Sequence, residues 1–175
     1  QLDVKRGDIG STMEAYAQAY LSDDGPLAVD AITVSPYLGY GSLRPALDLA
    51  AQTGRGVFVL VLTSNPEGRE VQHAATPTGT VAADMVRAIT SDNAPAARRG
   101  ALGSVGMVVG ATTGDAVRDL GLDLSGANAP LLAPGLGAQG AGEEDLRRVF
   151  GAALPSVLAA SSREVLSAGP DVGSL

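Results

Sequence analysis

The chain has 175 residues, of which 45% are hydrophobic and only 3% aromatic, and it carries a formal net charge of −7 with a pI near 4.5. That length suits one domain with a core of small branched side chains, while the acidic balance repels a phosphate backbone and makes nucleic acid an unexpected partner. With no cysteine and one histidine, disulfides, thiolate chemistry, a zinc site and a catalytic triad find few residues to build on, and with neither a leader pattern nor an apolar run near the ~20 residues a bilayer requires, the cytoplasm is the expected compartment.

Six short apolar runs read as strands: Gln1 to Lys5, Ala31 to Ser35, Val57 to Leu62, Val105 to Gly110, Pro130 to Ala133 and Val157 to Ala160. Helical patterns lie between them. After the first strand, Ser11-Thr12-Met13-Glu14 reads as a capping box, and Met13, Tyr16, Ala17, Tyr20 and Leu21 give one apolar stripe on a helix reaching about Leu21. Leu43, Ala46, Leu47, Ala50 and Ala51 repeat that spacing behind a Ser42 cap. Further helices are expected at Val81 to Ile89, at Asp115 to Leu120 and at Glu143 to Phe150, where acids lead and Arg147 and Arg148 follow, matching the helix dipole. Asn65 to Thr78 and Ser91 to Gly103 read as longer loops or loop-helix mixtures.

Repeated β-α units without a hairpin signal fit either a doubly wound sheet or part of an eight-stranded barrel, and periodicity does not choose between them. A complete barrel takes about 250 residues. On the barrel reading the chain is a single domain over 1–175 that lacks two N-terminal units. Gln at residue 1, an opening inside a strand and an end at Leu175 before a closing helix all suggest a piece of a longer chain.

Four segments carry candidate chemistry. Alternation along a strand puts Asp3 and Lys5 on one face of the first strand, with Asp8 in the loop beyond. Such a pair is either a solvated salt bridge or a catalytic pair at a strand's C-terminal end. Ser64-Asn65-Pro66 leaves the most apolar strand and is an ordinary turn unless Ser64 meets a ligand. Gly135, Gly137 and Gly140 spell G-x-G-x-x-G, yet the next strand ends in Ala-Ala-Ser-Ser-Arg without the acidic residue of a dinucleotide site. A barrel phosphate grip, in which glycines let backbone N–H groups approach an anion, fits better. Arg163 follows the last strand and is either surface decoration or a two-pronged phosphate ligand. His73 has no second histidine or acidic partner at metal spacing and reads as solvent-facing or lid-associated. The turn from Ser35 to Tyr40 is assigned no chemical role.

Asp3-x-Lys5-x-x-Asp8-Ile9-x-x-Thr12 matches the D-x-K-x-x-D-I-x-x-T motif, and the chain thereby resembles the orotidine 5′-monophosphate decarboxylase family in its bacterial branch. Pro134-Gly135-x-Gly137-Ala138-Gln139-Gly140 is close to a second motif of that family, and Ser64 and Arg163 fall where it has a serine and an arginine. Ser162 departs from the commoner glycine before the arginine. The resemblance implies a (β/α)8 TIM barrel, of which the chain covers about strands 3 to 8, and conversion of orotidine 5′-monophosphate to uridine 5′-monophosphate without a cofactor. It further implies that Lys5 stabilises and protonates the C6 carbanion, that Asp3 and Asp8 complete the charge array, and that Ser64 reads the pyrimidine. Pro134, Gly135, Gly137, Gln139, Gly140 and Arg163 would hold the nucleotide, with Gln139 bridging phosphate and base. A homodimer is implied, Asp8 and Thr12 reaching into the neighbouring site, and so is a further lysine on a preceding strand, without which a chain beginning at Gln1 should be inactive. Two alternatives stay open: a related magnesium-dependent sugar-phosphate lyase, which needs another carboxylate near Asp3, and a non-catalytic phosphate-binding module.

Overall fold

The computed structural model describes residues 1–174. Six strands form one parallel sheet: β1 (Leu2–Arg6), β2 (Ala31–Val34), β3 (Gly56–Leu62), β6 (Val105–Val109), β7 (Leu131–Pro134) and β8 (Val157–Ala160), in the spatial order β1-β2-β3-β6-β7-β8. The short hairpin β4 (Ala75–Thr76) and β5 (Gly79–Thr80) stands apart from it. Spatial order follows chain order without reversal. Since parallel crossovers are right-handed, an unreversed order keeps every connecting helix on the same face and curls the sheet toward a barrel; a doubly wound sheet would reverse direction at a switch point. The choice that periodicity left open therefore falls to the (β/α) barrel, of which six successive units are present.

Packing follows the alternation of side chains along each strand. Val57, Val59 and Val61 of β3, with Val105, Met107 and Val109 of β6, join one core with Met13, Ala17 and Leu21 of α1 (Gly10–Leu21), Ala46, Leu47 and Ala50 of α2 (Arg44–Thr53), and Val86 and Ile89 of α4 (Val81–Ala97). Phe58 and Val108 are also buried but lie outside that cluster, as the opposite pleat requires. Burying a side chain the size of Met13 or Leu21 contributes about 1.5–3 kcal/mol, so these stripes fix the helices to the sheet. Every residue of β6 is buried, whereas β1 and β8, the two edges, are largely exposed. Gly106 is glycine for a local reason: a Cβ there would sit 2.5 Å from the Phe58 ring.

Strand positions match the sequence reading within a residue at each end. Helix starts do not. No capping box forms at Ser11, because α1 begins at Gly10 behind Ile9, and the Asp8 carboxylate takes the Ile9 N–H (2.8 Å) just before the helix. Ser42 is not a cap either, since a 3-10 turn over Tyr40–Leu43 precedes α2 and the Ser42 hydroxyl donates to the Gly39 carbonyl. Ala51, expected in the stripe, is exposed. The helix expected to stop at Ile89 runs on to Ala97 through Pro95. Two tertiary anchors explain the extension. Asp92 accepts from Tyr40 and Arg44, and the buried Asn93 donates to the carbonyls of Val105 (2.8 Å) and Ala127 (3.2 Å) while accepting from Val105 N–H (3.2 Å). The segment from Asn65 holds α3 (Gly68–Gln72) and the β4–β5 hairpin. Helices α5 (Ala116–Asp119) and α6 (Glu143–Phe150) fall where expected, and a six-residue helix α7 (Arg163–Ala168) follows β8.

Candidate active site

At the C-terminal ends of the strands lies a cavity of about 430 Å³. Asp3 and Lys5 enter it from β1, Thr33 from β2, Pro134, Gly135 and Gln139 from the end of β7 and its loop, and Arg163 from the start of α7. Val108 and Leu132 supply an apolar wall. Residues separated by up to 160 positions thus converge on one space, because a barrel brings all its strand exits to one rim.

The charge pair is made. Lys5 Nζ donates to Asp3 Oδ2, and Thr33 donates to Asp3 Oδ1 at 2.7 Å. Partial burial pushes the Asp3 carboxyl up, but the hydrogen bonds from Lys5 and Thr33 and the ammonium charge outweigh it and leave the pKa below the usual carboxylate value. Both partners remain about half exposed, at 54% for the Lys5 side chain and 58% for that of Asp3, so the pair faces an open mouth.

The loop after β7 takes its shape from glycines. Gly135, Gly137 and Gly140 all have positive φ, at +111°, +64° and +96°, values that favour glycine. Within it, Gly137 N–H donates to the Ala141 carbonyl and Gly140 N–H to the Gly137 carbonyl, so these two amides serve the turn itself. A Cβ on Gly137 would also collide with the Glu164 carboxylate. Gly135 and Gln139 line the cavity. Among the described residues Arg163 is paired with no carboxylate, which leaves its guanidinium available to an anion.

Five expected site residues do not line this cavity: Gly137 and Gly140, which shape the loop, and Ser64, Asp8 and Thr12. Ser64 lines a second one, of about 380 Å³, with Asn65, Arg69, His73 and Thr112. The two spaces adjoin, because Thr112 lies within 3.6 Å of where a Gly135 Cβ would be. His73 caps the C-terminal end of α3 there, half-buried. Asp8 sits in the loop beyond β1, and Thr12 is exposed on the first turn of α1; neither lines the cavity. Ile9, between them in the chain, is exposed at 62%, and Tyr37 and Leu38, in the loop after β2, at 76% and 51%. Among the described residues no group of three or more His, Asp or Glu comes together as a metal site.

Thr33 was not singled out from the sequence. The signal available was one hydroxyl in the apolar run Ala31-Ile32-Thr33-Val34, on the strand paired with the Asp3–Lys5 strand. A lone threonine in a strand is too common to be read alone.

A model of the orotidine 5′-phosphate decarboxylase / HUMPS family matches residues 2–175. The chain is 63% identical over 175 residues to the orotidine 5′-phosphate decarboxylase of Salinispora arenicola, and 58% identical over 176 residues to that of Streptomyces coelicolor. Each alignment covers 99% of this chain and 60% of the relative, so the chain spans about three-fifths of the length of these curated relatives. A crystal structure from Streptomyces avermitilis, assigned provisionally to the same enzyme, superposes with a TM-score of 0.89 at 58% identity, covering 99% of this chain and 59% of that one.

Proposed function

The chain belongs to the orotidine 5′-phosphate decarboxylase / HUMPS family, and from that membership we propose that it forms the catalytic part of an orotidine 5′-monophosphate decarboxylase in pyrimidine biosynthesis. The observation that carries this reading is the convergence of Asp3, Lys5, Gln139 and Arg163 on one cavity, joined to identities above 55% with relatives of that name.

Loss of carbon dioxide from C6 of the orotate ring leaves an electron pair in the ring plane that conjugation does not reach. A cation held beside C6 stabilises that charge, and the same ammonium then delivers the proton that completes uridine 5′-monophosphate. Lys5 has both capacities and is steered by Asp3. The Asp3 carboxylate, ionised well below neutral pH, lies near the departing carboxylate, and the reaction calls on no cofactor. Gly135, Gln139 and Arg163 take the phosphate, with Gly137 and Gly140 shaping the loop and Pro134 forming its entry. Ser64, on the rim of the adjoining space, reads the pyrimidine. Binding of the remote phosphate then orients the ring and draws the open mouth closed. The exposed surface around Asp8, Ile9 and Thr12 is the face of a two-fold dimer, through which Asp8 and Thr12 enter the partner's site. The enzyme works in the cytoplasm as one barrel domain.

The test is the full-length protein carrying Lys5→Ala. Turnover of orotidine 5′-monophosphate should disappear while uridine 5′-monophosphate still binds. Decarboxylation at a near-normal rate by that variant overturns the mechanism.

A further inference from the structure

The β1–β2 pairing runs from Leu2↔Ile32 to Arg6↔Val34, so four steps along β1 are set against two along β2. The extra length is a bulge, which takes backbone groups out of the ladder and re-aims side chains. Lys5 sits inside it with φ +51°, a left-handed conformation uncommon for a residue with a Cβ. Its N–H meets the Thr33 hydroxyl oxygen at 3.0 Å. The same hydroxyl gives its only proton to Asp3 Oδ1 at 2.7 Å, leaving Oδ2 for Lys5 Nζ. Thr33 itself is 1% exposed, between the apolar Ile32 and Val34. A hydroxyl at that depth needs both partners, and both belong to the charge pair.

We propose that Thr33 is a positioning residue for the Asp3–Lys5 pair, one buried hydroxyl fixing the rotamer of Asp3 and the bulged backbone of Lys5 together. What the pair is used for rests on the decarboxylase reading; that Thr33 holds the pair does not. The hydroxyl acts on both ends of the ion pair at once. Without it Asp3 is free to turn Oδ2 away, and the Lys5 amide loses its acceptor. Lys5 and Arg163, the cationic side chains that line the cavity with Asp3, are donors only, so neither can accept from the bulge amide in place of the hydroxyl.

Thr33→Val keeps the branched shape and removes the hydroxyl; Thr33→Ser keeps the hydroxyl and removes a methyl. Both are made in the full-length protein, with circular dichroism to verify folding. In Thr33→Val, kcat for orotidine 5′-monophosphate should fall about tenfold or more. Uridine 5′-monophosphate affinity should change less than about threefold, since the phosphate and base contacts are untouched. The Asp3 carboxyl, followed by carbon-13 NMR, should titrate at higher pH than in the parent because a donor to its ionised form is gone. Thr33→Ser should restore both readouts. A Thr33→Val protein with parental kcat and an unmoved Asp3 midpoint overturns the proposal, and so does a serine variant as impaired as the valine one. Should the parent protein form no uridine 5′-monophosphate, the decarboxylase reading fails, and the Asp3 midpoint still decides the role of Thr33: a rise in valine but not in serine supports it, and no rise overturns it.

Discussion

Replacing Arg163 by alanine should separate phosphate recognition from everything else the cavity does. The guanidinium opens α7, lines the cavity, and has no carboxylate partner among the described residues, so its removal strands no buried charge. A guanidinium meets a phosphate with up to two hydrogen bonds, and one bond to a charged group contributes about 1.5–3 kcal/mol. Because the mouth is open to water the second bond is discounted, and the expected loss is that of one good bond, about 10- to 150-fold in uridine 5′-monophosphate affinity. Uridine has no phosphate, so its affinity should change less than about threefold. Calorimetric titration of both ligands into parent and Arg163→Ala protein measures the difference directly. Arg163→Lys should lie between them, keeping the charge and losing the fork. Salt should weaken the parent's nucleotide binding more steeply than the variant's. Equal losses for nucleotide and nucleoside, or an Arg163→Ala protein that holds the nucleotide as tightly as the parent, would refute the assignment.

Asn93→Ala removes the partner of three buried groups, the N–H and carbonyl of Val105 and the carbonyl of Ala127, and should cost about 3 kcal/mol of stability, seen as a lower urea midpoint at unchanged slope. The Asp3 carboxyl, held low by Lys5 and Thr33 against the opposing push of burial, should stay ionised as pH falls past the ordinary aspartate value. The stabilisation it gives is then complete above that ordinary value and lost only as pH drops through the lower folded-state pKa; Lys5→Ala should move the NMR midpoint upward. Mixing Lys5→Ala with Asp8→Ala full-length protein should restore activity through heterodimers that hold one undamaged site, and heterodimers that stay inactive would show that Asp8 serves its own subunit.

Much of the barrel could be read from the sequence because β-strands in a parallel sheet are buried on both faces and stand out as apolar runs. Val157–Ala160 was placed to the residue, and β3 and β6 within one. Caps were misread because Ser11 and Ser42 carry the right side chain without the right backbone: the first lies inside α1, the second in a 3-10 turn. The fourth helix was expected to stop at Ile89, yet Asp92 and Asn93, beyond that point, are the residues that tie α4 to its neighbours. Local composition cannot announce a partner 52 positions away. The same limit hid Thr33, whose meaning comes from the strand beside it, and the β1 bulge, which no alternation pattern predicts. Asp3, Lys5 and Arg163 stood out as charged side chains at strand exits, which the barrel gathers around one cavity, whereas Gln139, which lines the same cavity, was singled out through the family resemblance.

The most direct test of the account is the origin of the hydrogen at C6. Full-length protein incubated with orotidine 5′-monophosphate in deuterium oxide should release carbon dioxide and yield uridine 5′-monophosphate with one deuterium at C6, because the Lys5 ammonium exchanges with solvent before it donates. The Lys5→Ala protein should yield none. Absence of product from the parent, or labelled product formed equally well without Lys5, would contradict the central claim.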